Sequence, residues 1–277
     1  MENKLLKENQ LNFQSYGVKI GIKAENPVFL EKVQYELKKV FPNGFEKMIS
    51  GAVEHQFFIK SKNDGTSRFY RNEEIVFEGV PDNSFYEAVE SQIRITIAEF
   101  AVEKVFIHAG VVGWKNRAII IPAQSWSGKS TLVAELIKLG ALYYSDEYAV
   151  LDCQGNVEPF PKWLSLRGIS RNSAQRDFSV ESLGGTAGTK TIPVGMVLIA
   201  RYDTAKRIPR KWQPKRLTGG EAMMEILRHT LPIRNNPKFV LKVLNKLVTR
   251  AIIVKTVRGE AKEFAEMLLN YFEYQTE

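Results

Sequence analysis

The stretch AIIIPAQSWSGKSTLVAELIKLG, residues 118 to 140, decides how this chain is read. Ala118 to Ile121 form an apolar run that reads as a buried strand. Ala123 to Gly128 read as a tight loop of mostly small residues. Leu132, Val133, Leu136 and Ile137 then recur at helical spacing, and Gly140 stands where a helix ends. A loop between a buried strand and a helix start suits an anion. Its backbone N–H groups converge, and the helix turns its positive end toward them. Gly128-Lys129-Ser130-Thr131 adds a lysine for the β- and γ-phosphates and a hydroxyl for magnesium. The motif usually opens with glycine, where this chain has Ala123, and Trp126 adds bulk in mid-loop. A methyl group is small, and the loop's start approaches phosphate less closely than Gly128 does. Trp126 fits if its side chain points out of the loop, where it either covers a bound molecule or simply packs. The plainer alternative is an ordinary strand-to-helix turn with a solvated lysine. On the sharper reading, Ala123, Gln124, Ser125, Trp126, Ser127, Gly128, Lys129, Ser130 and Thr131 make the nucleotide site.

Working outward, ALYYSDEYAVLD, 141 to 152, reads as a strand interrupted by Asp146-Glu147. If it lies beside the loop strand, the acids fall near the γ-phosphate. One acid of the pair is then a candidate to hold magnesium with Ser130, and the other to take the proton of an attacking hydroxyl. The alternative is an exposed acidic pair. KVFIHAGVV precedes the loop strand and joins it through a turn at Trp114-Lys115-Asn116. His108 in that strand is a candidate for catalysis or phosphate contact, although a lone histidine in an apolar strand is more often a satisfied core residue. Arg167, in LSLRG, is a candidate for steadying charge on the transferred group, or else a surface arginine. His55, His229 and Cys153 lack partners in sequence and read as structural. No cluster has the spacing of a structural zinc site.

The first hundred residues read as a small α+β region. YGVKIGIK alternates as a half-buried strand does, PVFLEKVQYELKKVF has helical spacing, and three short strands follow with an Asp64-Gly65 hairpin signal. In PDNSFYEAVESQIRITIAEFAVE, Ser84 and Glu87 read as a capping box, and Phe85, Val89, Ile93 and Ile97 line one face. This region has no cluster of catalytic residue types and reads as scaffold or partner recognition. From residue 101 onward strands alternate with helices, which predicts a three-layer α/β domain with a mixed sheet to residue 277. Thr218 and Glu221 make a second capping box. SVESLGGTAGTKTIP, 179 to 193, has no apolar stripe and reads as a mobile loop.

Composition sets outer bounds. A chain of 277 residues, 44% hydrophobic, is long enough for more than one buried core. A single cysteine excludes an internal disulfide and fits a reducing, cytoplasmic setting. The first residues lack the apolar core of a signal peptide, and no apolar run approaches membrane-spanning length. The net charge of +8 is concentrated in RYDTAKRIPRKWQPKRL, 201 to 217. That segment suits an acidic partner or a solvated surface. No nucleic-acid-reading motif accompanies it, so nucleic acid is not an expected partner.

The segment IHAGVVGWKNRAIIIPAQSWSGKSTLVAELIKLGALYYSDEYAVL resembles the core of the HPr serine kinase/phosphorylase family. The order is the same: a strand histidine, a turn, an apolar strand, a phosphate loop, a helix and an acidic pair. The resemblance is good over about 105 to 170 and holds in outline to 277. It implies an ATP- and magnesium-dependent kinase whose fold is related to phosphoenolpyruvate carboxykinase. Lys129 and Ser130 match the family's lysine and magnesium-binding hydroxyl, Asp146 its general base, and His108 its strand histidine. Glu147 stands where a second aspartate is usual. Arg167 and Gly168 match an Arg-Gly pair, but Ser165 replaces the acid before it. That acid helps hold metal in the family, so its loss argues against phosphorylase activity and against HPr itself as substrate. The bifunctional enzymes' C-terminal signature is not evident either. The resemblance is therefore to divergent relatives, among them kinases of lasso-peptide precursors. It implies a protein or peptide substrate bearing a serine, and a symmetric homo-oligomer such as the family often forms. Two other readings stay open: an ATP-binding regulatory or assembly module without phosphotransfer, and a small-molecule hydroxyl kinase.

Overall fold

The computed structural model describes residues 9–41, 44–49, 51–123, 127–167, 175–205 and 212–276, and the chain divides into two units, Met1–Glu103 and Lys104–Glu277. The first unit runs β1 (Gln10–Ser15), β2 (Val18–Ala24), α1 (Pro27–Val40), β3 (Glu46–Lys47), β4 (His55–Ser61), β5 (Ser67–Arg71), β6 (Glu74–Gly79) and α2 (Asn83–Phe100). Its strands form one sheet in the order β3-β1-β2-β4-β5-β6. The alternation read from Tyr16 is preceded by a further strand, β1, joined through Tyr16 and Gly17 at φ 48° and 79°. Two left-handed residues are what a two-residue hairpin requires. Phe13, Ile20, Ile22, Phe57, Ile59 and Phe69 are buried. Helix α2 buries Phe85, Val89, Ile93 and Ile97 as its spacing predicts. Its cap differs from the sequence reading. Asp82, not Ser84, caps the helix, accepting from the Phe85 N–H at 3.1 Å. Asp82 follows Pro81 and has extended backbone, so its short carboxylate reaches the third helical N–H. Ser84 already lies within the first turn.

The second unit runs β7 (Val105–Trp114), β8 (Arg117–Pro122), α3 (Lys129–Lys138), β9 (Leu142–Ser145), β10 (Tyr148–Leu151), β11 (Val157–Glu158), β12 (Leu164–Arg167), β13 (Gln175–Phe178), β14 (Val194–Tyr202), β15 (Lys215–Arg216), α4 (Gly219–Leu227), α5 (Pro237–Arg250), β16 (Ile252–Arg258) and α6 (Ala261–Thr276). The main sheet has the order β11-β10-β7-β8-β14-β16-β15, with β9 also on β7. β8, β14 and β16 are mutually parallel, and the other pairs are antiparallel. The β7–β8 turn is Lys115-Asn116, both left-handed at φ 48° and 60°. Helices cover both faces, which is why the central strands read as unbroken apolar runs. Ile107, Ala109, Val111, Ile120 and Val197 pack against Ile226 of α4 and Val243 and Leu247 of α5. Val112, Ile119, Ile121, Met196 and Leu198 pack against Val133 and Leu136 of α3 and Phe264 and Leu268 of α6. β12 and β13 form a separate hairpin.

The segment 179–193, read as a mobile loop, is tied along its length. It holds a short 3-10 turn at Glu181–Leu183. Gly188 N–H donates to the Tyr143 carbonyl and Tyr143 N–H to the Thr186 carbonyl, at 2.7 and 2.9 Å. Tyr144 Oη donates to the Lys190 carbonyl at 2.8 Å. Glycine gives this segment no apolar periodicity. It does allow close approach, since a Cβ at Gly188 would lie 2.1 Å from the Tyr144 ring.

Candidate active site

Because β8, β14 and β16 are parallel, Pro122, Tyr202 and Arg258 emerge at the same end of the sheet. Ligands in sheets of this kind sit outside the carboxyl ends of the strands. β8 ends there and α3 begins at Lys129, with Gly128 as N-cap in the left-handed region, φ 74°. Ala123 is buried at the strand end and Thr131 is exposed. Gln124, Ser125 and Trp126 lie outside the described residues. The Ser127 Oγ is buried and, among the described residues, has no hydrogen-bond partner.

Lys129, only 9% exposed, is aimed by a glycine in the neighbouring strand. A Cβ at Gly110 of β7 would meet Val133 Cγ2 at 2.6 Å and Lys129 Cγ at 3.1 Å. The lysine stem therefore crosses the sheet over Gly110, and its Nζ reaches His108 Nε2, two residues back along β7, at 3.0 Å. An ammonium can only donate, so Nε2 accepts and the ring proton sits on Nδ1.

The acidic pair is brought to the same place by register. β9 and β10 pair with successive parts of β7, with Ser145 opposite Val111 and Tyr148 opposite His108. Asp146 and Glu147 thus fall beside Gly110 and Ala109, where the strand kinks. Ser145 Oγ supports the kink, accepting the N–H groups of Glu147 and Tyr148 at 3.0 Å each. Asp146 is 3% exposed. Its carboxylate lies near the Ser130 hydroxyl and accepts the Ser165 N–H at 3.3 Å. Burial pushes its pKa above the ordinary 3.8, while the Ser130 hydroxyl and the Lys129 charge pull it back down. Glu147 is less buried, with Lys162 Nζ 3.9 Å from its carboxylate.

Arg167 lies in β12, opposite Gln175. Ser165 of the same strand faces Asp177 of β13 and donates to its carboxylate at 2.6 Å. An acid thus stands across the hairpin from the serine, a proximity that linear sequence hides.

Two further residues lie beside these, of which Arg258 is absent from the sequence reading. His229, taken as structural, follows α4 in a segment that takes over the edge of β7 where β8 ends. Its carbonyl accepts the His108 N–H at 2.8 Å, and Thr230 bridges Ile107. Burial lowers the His229 pKa, and the Lys129 charge lowers it further. Arg258, at the end of β16, is 4% exposed and donates from Nη2 to the carbonyls of Ser127 and Gly128 at 3.2 and 2.9 Å. It is 129 positions from Lys129, so only sheet order brings the two together.

Hydroxyl and carboxylate oxygens at Ser130, Asp146 and Glu147 form a hard donor set of the kind magnesium prefers. Among the described residues no three His, Cys, Asp or Glu side chains group as metal ligands. Of the basic segment, 206–211 lie outside the described residues, and Lys215 and Arg216 form the exposed edge strand β15. Among the described residues no helix is long and apolar enough to cross a membrane.

No protein-family model matches the chain, and no curated protein matches it. Among solved structures it is similar to the HPr(Ser) kinase/phosphatase from Coxiella burnetii. The identity is 14% and the TM-score 0.37, over 62% of this chain and 97% of that one. A likeness of that size decides neither fold nor activity.

Proposed function

We propose that the chain is an ATP- and magnesium-dependent kinase that transfers the γ-phosphoryl group to a serine hydroxyl of a protein or peptide. One observation carries the reading. At the carboxyl end of the parallel strands, a helix start at a left-handed glycine meets a buried lysine and a buried aspartate near Ser130. The loop from Ala123 to Thr131 is the nucleotide cradle. Its amides and Lys129 hold the phosphates, with His108 orienting the lysine. Ser130 and Glu147 would hold the magnesium ion, which when bound offsets phosphate charge. Asp146 takes the proton as the serine oxygen bonds to the γ-phosphorus and the bond to the β-phosphate oxygen breaks. Burial makes Asp146 a better base than a surface carboxylate, while Lys129 and Ser130 favour its ionised form. Arg167 steadies charge on the transferred group. Most of the catalysis is then positioning and electrostatics. The N-terminal unit serves as scaffold or in partner recognition, and the basic 201–217 segment attracts an acidic partner.

The test is transfer of label from γ-labelled ATP to candidate serine peptides and small hydroxyl compounds. Normal ATP binding with no transfer to any hydroxyl acceptor would sink the kinase reading and leave an ATP-binding module.

A further inference from the structure

We propose that Arg258 is a positioning residue that sets the phosphate loop, by holding the carbonyls of Ser127 and Gly128 away from the anion. The inference rests on the nucleotide reading above and goes beyond it to the device that orients the cradle. In a planar trans peptide the carbonyl and the N–H point in opposite directions. The Ser127 carbonyl shares its peptide with the Gly128 N–H, and the Gly128 carbonyl shares its peptide with the Lys129 N–H. Fixing those two oxygens therefore turns the two N–H groups to the opposite side, where the helix start faces a phosphate.

Arg258 is built for this. One nitrogen, Nη2, spans both carbonyls at 3.2 and 2.9 Å, and Nη1 donates to the Gly259 carbonyl at 2.9 Å. The guanidinium lies over the Tyr202 ring, 5.0 Å from its centre, and Tyr202 Oη donates to Glu260 at 2.7 Å. Burial lowers the Arg258 pKa, with Tyr202 and Glu260 acting the other way, but a guanidinium keeps its charge in proteins. A positive charge thus sits behind the amides as well as a fixed fork of donors.

The same contact gives Gly128 a second reason to be glycine. Its φ of 74° disfavours a side chain, and a Cβ there would lie 2.6 Å from Arg258 Nη2. The loop glycine and the arginine are therefore one device, assembled from opposite ends of the domain sequence.

The test measures MgATP affinity by calorimetry for the wild-type chain, Arg258→Gln and Arg258→Lys, alongside each melting temperature. The expected result is about 10- to 100-fold weaker binding for Arg258→Gln, the range for losing charged hydrogen bonds. Arg258→Lys keeps the charge but not the fork, and it should fall between wild type and Arg258→Gln. Both are measured well below their melting points, so a purely structural role would lower the melting temperature and leave affinity alone. If Arg258→Gln does not fold, Arg258→Lys carries the comparison. A folded variant binding MgATP within twofold of wild type overturns the inference while the nucleotide reading stands. Failure of the wild-type chain to bind MgATP overturns both.

Discussion

The two units bury charge in opposite ways. Among the described residues of the N-terminal unit the buried ions are Glu90 and Arg94, one turn apart on α2, paired at 2.7 Å and 7% and 6% exposed. That pair is local, and Arg94 also donates to Ser91 on the same helix at 3.3 Å. Among the described residues of the C-terminal unit they are Lys129, Asp146 and Arg258, drawn from three segments and gathered at the carboxyl end of one sheet. Their bonds include an imidazole and several backbone groups. Desolvating an ion is costly unless its partners are good. The first unit meets that cost by pairing opposite charges within a helix. The second gathers charges of both signs from separate segments at one end of a sheet. The difference teaches where function lies better than the amount of buried charge would.

The largest expected effect breaks the comparison at Asp146. Asp146→Asn should reduce phosphoryl transfer by about 10²- to 10⁴-fold, the usual worth of a general base, while calorimetric ATP affinity changes little. Unchanged transfer would remove Asp146 from the chemistry. Next comes the control in the other unit. Arg94→Met leaves Glu90 buried without its i+4 partner and should cost about 3–5 kcal/mol in chemical denaturation. Replacing both Glu90 and Arg94 by leucine should recover most of that loss. Neither change should alter ATP affinity of the folded protein, and an effect there would erase the contrast.

Lys129→Met keeps the stem over Gly110 but removes the charge. ATP binding should weaken about 10- to 100-fold, as for loss of a charged hydrogen bond. The smallest effect is on stability. Burial holds the Asp146 carboxyl above its ordinary 3.8, so the folded chain keeps that proton more tightly than the unfolded one. The associated stability is full below about pH 3.8 and is lost as pH rises through the raised value. Asp146→Asn should therefore melt a few degrees higher than wild type at pH 7, with the gain shrinking toward pH 4. A destabilised Asp146→Asn at neutral pH would mean that its ion is well compensated, as Glu90 is.

Much of the layout was legible from residues alone. Apolar runs bounded by turn residues marked β7, β8, β14 and β16, and helical spacing marked α2, α3, α5 and α6. Thr218 and Glu221 announced a capping box that the structure contains. Signals that span three or four residues survive because they depend on local geometry. The α2 cap was misread because both Asp82 and Ser84 are cap-forming types, and only the backbone decides which sits outside the helix.

The sequence by itself determined the local chemistry: a glycine before a lysine and hydroxyl, an acidic pair breaking a strand, a histidine in an apolar run. Tertiary structure decided which of these meet. Register set Asp146 beside Gly110, the absence of a side chain at Gly110 let Lys129 reach His108, and parallel pairing through β14 brought Arg258 behind the loop. Those contacts are non-local, joining positions tens to more than a hundred residues apart. Periodicity cannot encode them, because each depends on which strand lies beside which.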